Sequence, residues 1–365
     1  MNFVFVSYNY SPEFSSPESW LKRIEGYSGV YEQLAKLGIV HDVKQIGYEG
    51  DCTHRGIQYH FVRIDQRKKH FSRQMNRFVK QLNPDTVIVH GLHHPLQLIQ
   101  LRLMLKKKTK IIVQHHAEKP FPGIKKYAQR FADLGVDAYL FASHDLGADW
   151  VKKGNLSASR KIHEVMEVSS NFYPVDKQSA RLKTKATGRP VFLWVGRLNE
   201  NKDPINVVRT FLKFVVTEPG AKLYMIYHTD ELLAAIQEIL KDHFQGDAVI
   251  LVGQVPHDDL LYWFNSADFI LSGSFYEGSG TAICEAMSCG CIPIVTDIFS
   301  FQMITDNGKC GVLYEPGSEA ALLNALMQTS EMDIEEKQRL CLDYFKSTLS
   351  FEAIARQIYE IAGSL

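Results

Sequence analysis

Short apolar runs alternate with amphipathic stretches along the whole chain. In the first half the runs fall at 2–7, 41–48, 57–64, 86–90, 110–114 and 138–143. They are rich in β-branched side chains and lack strict polar alternation. That predicts strands covered on both faces, hence a parallel sheet. Between them, residues 19–37, 67–82, 95–107 and 123–133 carry helical periodicity. After residue 190 the alternation restarts, with strand-like runs at 191–196, 223–227, 249–253, 269–273, 292–296 and 311–314. Helical stretches separate these runs at 204–217, 230–242, 257–265, 281–289 and 318–328. Two more, 333–346 and 351–363, follow with no strand between them.

The segment 172–190 breaks the pattern with two prolines, mixed charge and no apolar period, and it reads as an interdomain linker. Two βα-repeating halves joined by a linker predict an α/β protein of two doubly wound, Rossmann-like domains facing across a cleft. The expected boundaries are 1–172, joined by the C-terminal helix 350–365, and 190–345.

Composition narrows the function classes. The chain has 365 residues, with 41 basic and 41 acidic side chains. Zero net charge excludes a uniformly basic nucleic-acid binder. The zero is a sum over unlike halves: residues 1–172 carry 25 basic and 16 acidic side chains, and residues 173–365 carry the reverse. No apolar run approaches bilayer length, and MNFVFVSYNY, with no basic region and no long apolar segment, is not expected to act as a signal peptide. Six cysteines without a C-x-x-C pair read as buried thiols in a reducing compartment, so a cytoplasmic location is expected. Dinucleotide and phosphate-loop glycine fingerprints, D-x-D pairs and nucleophile elbows are all missing.

The most informative segment is 272–297, SGSFYEGSGTAICEAMSCGCIPIVTD. Its loop, Glu277-Gly278-Ser279-Gly280, lies at a strand's carboxyl end and a helix start, where α/β folds bind ligands. The glycines allow close backbone approach, and free N–H groups at the helix start favour phosphate or sugar oxygens. Glu285, one turn into the helix, can accept two hydrogen bonds from a vicinal diol. Two glutamates eight residues apart also arise by chance on a turn and a helix. A second loop, 193–204, LWVGRLNENKDP, presents Arg197 and Lys202 after a strand. They suit neutralisation of a diphosphate, and equally suit two solvated charges near a helix cap.

These elements, with VGQVP at 252–256, stand in the order found in retaining GT-B glycosyltransferases of family 4, which the chain resembles strongly over about 190–328 and weakly before that. The resemblance implies a GT-B fold and a nucleotide-diphosphate-sugar donor held by the second domain. On that basis Arg197 and Lys202 hold the diphosphate, and Glu285 the ribose. Glu277, Gly278, Ser279 and Gly280 lie near the donor sugar, and backbone near Val255 meets the base. No cofactor and no metal are expected.

The resemblance assigns the acceptor to the first half, where His116 follows strand 110–114 and is expected near the reacting sugar; His115 is the alternative. His90 ends another strand on the acceptor side. The family's glycine pair after the first strand is missing, and only Gly26 falls at a comparable distance. The basic half has local sources in helix 67–82 (Lys69, Arg73, Arg77, Lys80, opposite Phe71, Met75, Phe78 and Leu82) and in Lys106, Lys107, Lys108 and Lys110. Such surfaces attract acidic glycans or anionic lipid headgroups. The expectation is a retaining glycosyltransferase of cell-surface glycan synthesis with a saccharide or lipid-linked acceptor, in peripheral contact with an anionic membrane at its cytoplasmic face. A GT-B epimerase or phosphorylase, or a non-catalytic sugar-nucleotide or glycan-binding protein, stays open.

Overall fold

The computed structural model describes residues 1–63, 72–116 and 118–365. The chain divides into two units, Met1–Ser169 with Phe351–Leu365, and Ser170–Ser350. By sequence the first unit carries 26 basic and 18 acidic side chains, so the uneven charge distribution follows the units.

In the first unit the described strands are β1 (Asn2–Ser11), β2 (Ile39–Ile46), β3 (Gly50–His54), β4 (Ile57–Phe61), β5 (Thr86–His90), β6 (Lys110–Gln114), β7 (Ala138–Phe141) and β8 (Ile162–Glu164). They lie in the order β3-β4-β2-β1-β5-β6-β7-β8. The β3–β4 pair is antiparallel and the other neighbours are parallel. β3 and β8 carry no apolar run, because β3 is a polar edge and β8 is three residues long; periodicity did not announce them. Val4, Val6, Val87, Val89, Ile111 and Val113 form one buried face of the sheet.

In the second unit β9 (Val191–Gly196), β10 (Lys222–Tyr227), β11 (Val249–Gly253), β12 (Phe269–Ser272), β13 (Ile292–Thr296) and β14 (Val312–Tyr314) lie in the order β11-β10-β9-β12-β13-β14, all parallel. The chain reverses direction across the sheet between β9 and β12, the topological switch point of a doubly wound fold. Helix Pro204–Thr217 closes one face, its Phe211 and Phe214 packing edge-on against Phe192 of β9, which stacks on Phe269 of β12.

Several segments depart from the sequence reading. The supposed linker contains helix Lys177–Thr184, which is built into the second unit. Polar bonds replace the missing apolar period there. Lys177 Nζ lies 2.5 Å and Arg181 Nη2 3.2 Å from the carboxylate of Asp268, which also accepts from Val191 N at 2.8 Å. Helix 67–82 is described only from Arg73 to Gln81; Lys69 and Phe71 lie outside the described residues, as does Ile64 at the end of run 57–64. Its buried face carries Met75, Asn76 and Val79, with Asn76 Oδ1 accepting from Tyr8 OH at 2.8 Å. Helices His144–Lys152 and Phe299–Ile304 have no counterpart in the sequence reading, and the expected stretch 19–37 is two helices, Pro17–Ile24 and Gly29–Ala35.

The final helix, Phe351–Ser364, packs on helix Gly29–Ala35 of the first unit. A Cβ on Gly29 would lie 2.3 Å from the Phe351 ring, so only glycine fits under that side chain. Among the described residues no helix is long and apolar enough to cross a membrane.

Candidate functional site

The loops leaving β9 and β12 meet at the switch point of the second unit. Phe275 N donates to Asn201 O at 2.8 Å, and Asn201 Nδ2 donates to Tyr276 O at 3.0 Å, which ties the two loops together. A cavity of about 480 Å³ opens beside them, and Arg197, Lys202, Val255, His257, Glu277 and Gly280 belong to its lining.

Arg197 is exposed at the cavity, whereas Lys202 is ion-paired with Glu277. Glu277 also accepts from Ser274 Oγ at 2.7 Å, and the buried Ser274 is fixed through its carbonyl by Thr296 Oγ1 at 2.6 Å. Lys202 is therefore positioned by its partner, and an incoming anion must share its charge with Glu277. Gly278 and Ser279 complete the loop, with Ser279 buried.

Helix Thr281–Ser288 starts from Gly280, whose φ of +65° is left-handed. A Cβ there would lie 2.7 Å from the Phe301 ring, so conformation and space both require glycine. Thr281 and Ala282, whose N–H groups are left over by the helical ladder, line the cavity and offer donors to an anion. Glu285 lies a turn further on and is buried. Its Oε1 is 2.7 Å from Nε2 of His257, an exposed residue of the cavity wall. The hydrogen bond to Glu285 raises the His257 pKa, against the opposing effect of burial. The expected ribose carboxylate thus meets the cavity by way of His257. Sequence reasoning missed this histidine, although it directly follows the VGQVP segment.

In the first unit His90 and His116 come together. His90 Nδ1 lies 2.8 Å from His116 Nε2, His90 Nε2 lies 2.7 Å from Tyr31 OH, and His116 Nδ1 lies 2.6 Å from Glu167 Oε2. Burial pushes the His90 pKa well below its usual range, helped by the neighbouring His116. At His116 burial acts the same way, but the hydrogen bond and charge of Glu167, with Glu118, outweigh it and leave the pKa raised. Glu118 accepts from His116 N at 2.7 Å and from Leu92 N at 3.0 Å, tying together the loops after β6 and β5. Tyr31, Glu118 and Glu167 carried no local sequence signal, because they are brought in from separate segments.

His115 takes a different role from its neighbour. It is buried, stacks on Phe141 with ring centroids 4.7 Å apart, and its Nε2 donates to Glu118 O at 2.9 Å. Packing, rather than a ligand, accounts for its position. Gly26 is exposed in the turn between helices Pro17–Ile24 and Gly29–Ala35, with nothing within 4 Å of a Cβ built there. The close approach that glycine permits occurs instead at Gly29.

Residues 176–341 match the family model described as glycosyl transferases group 1, a span that coincides with most of the second unit. Over 216 residues the chain is 26% identical to a GDP-mannose:cellobiosyl-diphosphopolyprenol alpha-mannosyltransferase of Xanthomonas campestris, covering 58% of this chain and 56% of that one. It is 33% identical over 82 residues to O-antigen chain mannosyltransferase B of Escherichia coli, covering 22% and 21% of the two chains. The chain thus spans little more than half of the first relative's length and about a fifth of the second's. Among solved structures, Anabaena HepE in complex with UDP superposes with a TM-score of 0.75 at 14% identity, covering all of both chains. Sucrose-phosphate synthase from Thermosynechococcus elongatus gives 0.69 at 17%, covering 100% and 99%. These likenesses establish the fold as the two-unit Rossmann-like architecture of GT-B glycosyltransferases.

Proposed function

We propose that the protein transfers a glycosyl group from a nucleoside-diphosphate sugar to a saccharide or lipid-linked acceptor in glycan assembly, with retention of anomeric configuration. The observation that carries this reading is the convergence of Arg197, Lys202, Glu277 and the Gly280 helix start on one cavity at the switch point. The match to the glycosyl transferase family model covers the same residues.

In this reading Arg197 and Lys202 take the diphosphate, Arg197 as a planar fork and Lys202 as a point charge released in part from Glu277. Negative charge builds on the departing diphosphate in an oxocarbenium-like transition state. The two cations and the N–H groups of Thr281 and Ala282 stabilise it, a role that calls for no metal ion. Glu285, with His257, binds the ribose diol, and Val255 lies against the base. Gly278 and Ser279 shape the loop beside the donor sugar, and Glu277 faces that sugar. His116 serves the acceptor side, held by His90 and Glu167, with the departing phosphate taking the acceptor's proton. The proposed setting is cytoplasmic.

Calorimetry of the full chain against UDP-, GDP-, ADP- and TDP-sugars tests the reading. One donor should bind, and Arg197→Ala and Glu285→Ala should each weaken it about 10- to 100-fold, as expected for lost charge-assisted hydrogen bonds. Unchanged affinity in both variants would overturn the assignment. Transfer by the purified chain, with the anomeric proton coupling of the product compared with that of the donor, tests activity and retention together.

A further inference from the structure

Helix Lys125–Ala132 is turned inside out. Its buried positions are polar or small, Gln129, Ala132 and the following Asp133. Its large apolar side chains face outward. Ile124 is 84% exposed, Tyr127 65%, Phe131 61% and Leu134 74%, at spacings of three, four and three residues that place them on one stripe. Helix Pro95–Met104 packs alongside, and its Leu103, 80% exposed, follows Arg102, whose side chain lies against Gly135 just beyond the stripe. A water-soluble surface normally spreads such side chains singly; a contiguous set marks an interaction site.

Charge identifies the occupant. Residues 95–134 contain nine basic side chains and two acidic ones. Of the two acids, Asp133 is buried against Lys161, and Glu118 is spent on the backbone of Leu92 and His116. Lys125 is exposed on the stripe's own helix, Lys107 and Lys108 are exposed just after the neighbouring helix Pro95–Met104, and the Lys126 ammonium lies 5.5 Å from the Tyr127 ring centroid. An apolar stripe containing a tyrosine and rimmed by lysines suits the boundary between headgroups and acyl chains. A second copy of the chain would bring two such basic rims face to face, which opposes self-association through this surface.

We propose that the stripe Ile124, Tyr127, Phe131 and Leu134, with Leu103, is a docking surface for an anionic lipid bilayer, seated by its apolar side chains and drawn in by Lys107, Lys108, Lys125 and Lys126. The surface stands on its own observations. Its consequence, that the first unit meets its acceptor at a membrane, rests on the functional reading above.

Vesicle co-sedimentation of the full chain, without any sugar nucleotide, tests it. The native protein should bind vesicles of phosphatidylcholine mixed with phosphatidylglycerol, bind pure phosphatidylcholine at least about tenfold more weakly, and lose affinity in 0.5 M salt, as surface attraction by several lysines requires. Phe131→Asp and Leu134→Asp together should lower partitioning by about tenfold or more. Both side chains are exposed, so the melting temperature should stay close to native. Leu182→Asp, at an equally exposed leucine of the second unit, should leave partitioning unchanged.

Equal partitioning of the Phe131/Leu134 variant, no binding by the native chain, or native dimers that the variant abolishes would each overturn the proposal; the last would assign the stripe to a second copy. Donor calorimetry separates the two readings. Vesicle binding without donor binding keeps the docking surface and removes the transferase, and the reverse result does the opposite.

Discussion

Nε2 of His116 and Nδ1 of His90 lie 2.8 Å apart, so one ring donates and the other accepts. Glu167 decides which. Its carboxylate takes the Nδ1 proton of His116, which leaves Nε2 of a neutral His116 as an acceptor. His90 then donates from Nδ1 and accepts from Tyr31 OH at Nε2. Protonating His116 reverses both bonds, because its Nε2 becomes a donor and His90 must carry its single proton on Nε2. One titration therefore reorients a chain of hydrogen bonds that ends at the phenol of Tyr31.

Glu167→Gln removes the charge that raises the His116 pKa, so that pKa should fall, while burial keeps the His90 pKa low. Nitrogen chemical shifts of the two imidazoles across pH 5 to 9 read this directly. The native His116 pKa is raised, so its pairing with Glu167 stabilises the fold fully below the ordinary imidazole value near 6.5 and fades as pH rises through the raised value. The stability gap between native and Glu167→Gln protein should close over the same window. A constant gap from pH 6 to 9 would contradict the pairing.

Lys202 and Glu277 are ion-paired, so in the proposed reading a diphosphate shares the Lys202 charge with Glu277. Lys202→Ala should weaken donor binding about 10- to 100-fold. Glu277→Gln should tighten binding of the free nucleoside diphosphate a few-fold while lowering the transfer rate. Calorimetry and single-turnover kinetics on the same variants check both directions.

Gly29 lies under Phe351, where a Cβ would stand 2.3 Å from the ring. Gly29→Ala should cost about 1–3 kcal/mol through overpacking. The loss should appear as a lower melting temperature and faster amide exchange in helix Phe351–Ser364. Combined with Phe351→Ala, the total loss should be less than the sum of the separate losses of the two single variants, because the added methyl then has room.

Asp42 is buried in β2, and burial pushes its pKa up to about 6, with Lys44 and His60 opposing. The native state thus holds its proton more tightly than the unfolded chain does, and this stability is lost as pH rises from about 4 through 6. Asp42→Asn removes the dependence. Relative to native protein it should gain roughly 2–3 kcal/mol on going from pH 4 to pH 8, the free energy of a carboxyl shifted from near 4 to about 6. Urea unfolding at the two pH values measures it.

Periodicity and turn chemistry determined much of this protein by themselves. The apolar runs that became β9 to β14 are local, since a strand covered on both faces must be apolar along its length. The helix expected over 204–217 runs from Pro204 to Thr217, and the glycine-rich loop 277–280 pointed to a ligand site at a strand's end. Segments held by polar bonds were not legible in this way. Helix Lys177–Thr184 is fixed by Asp268, ninety residues away, so its own pattern reads as a linker. Only the tertiary structure joined Glu285 to His257, Lys202 to Glu277, and Tyr31, His90, His116 and Glu167 into one chain. Hydrogen bonds between side chains distant in sequence leave no period behind them. The outward stripe of Ile124, Tyr127, Phe131 and Leu134 shows the same division. The sequence placed a helix there, but its face was decided by the burial of Gln129 and Asp133 against the rest of the unit.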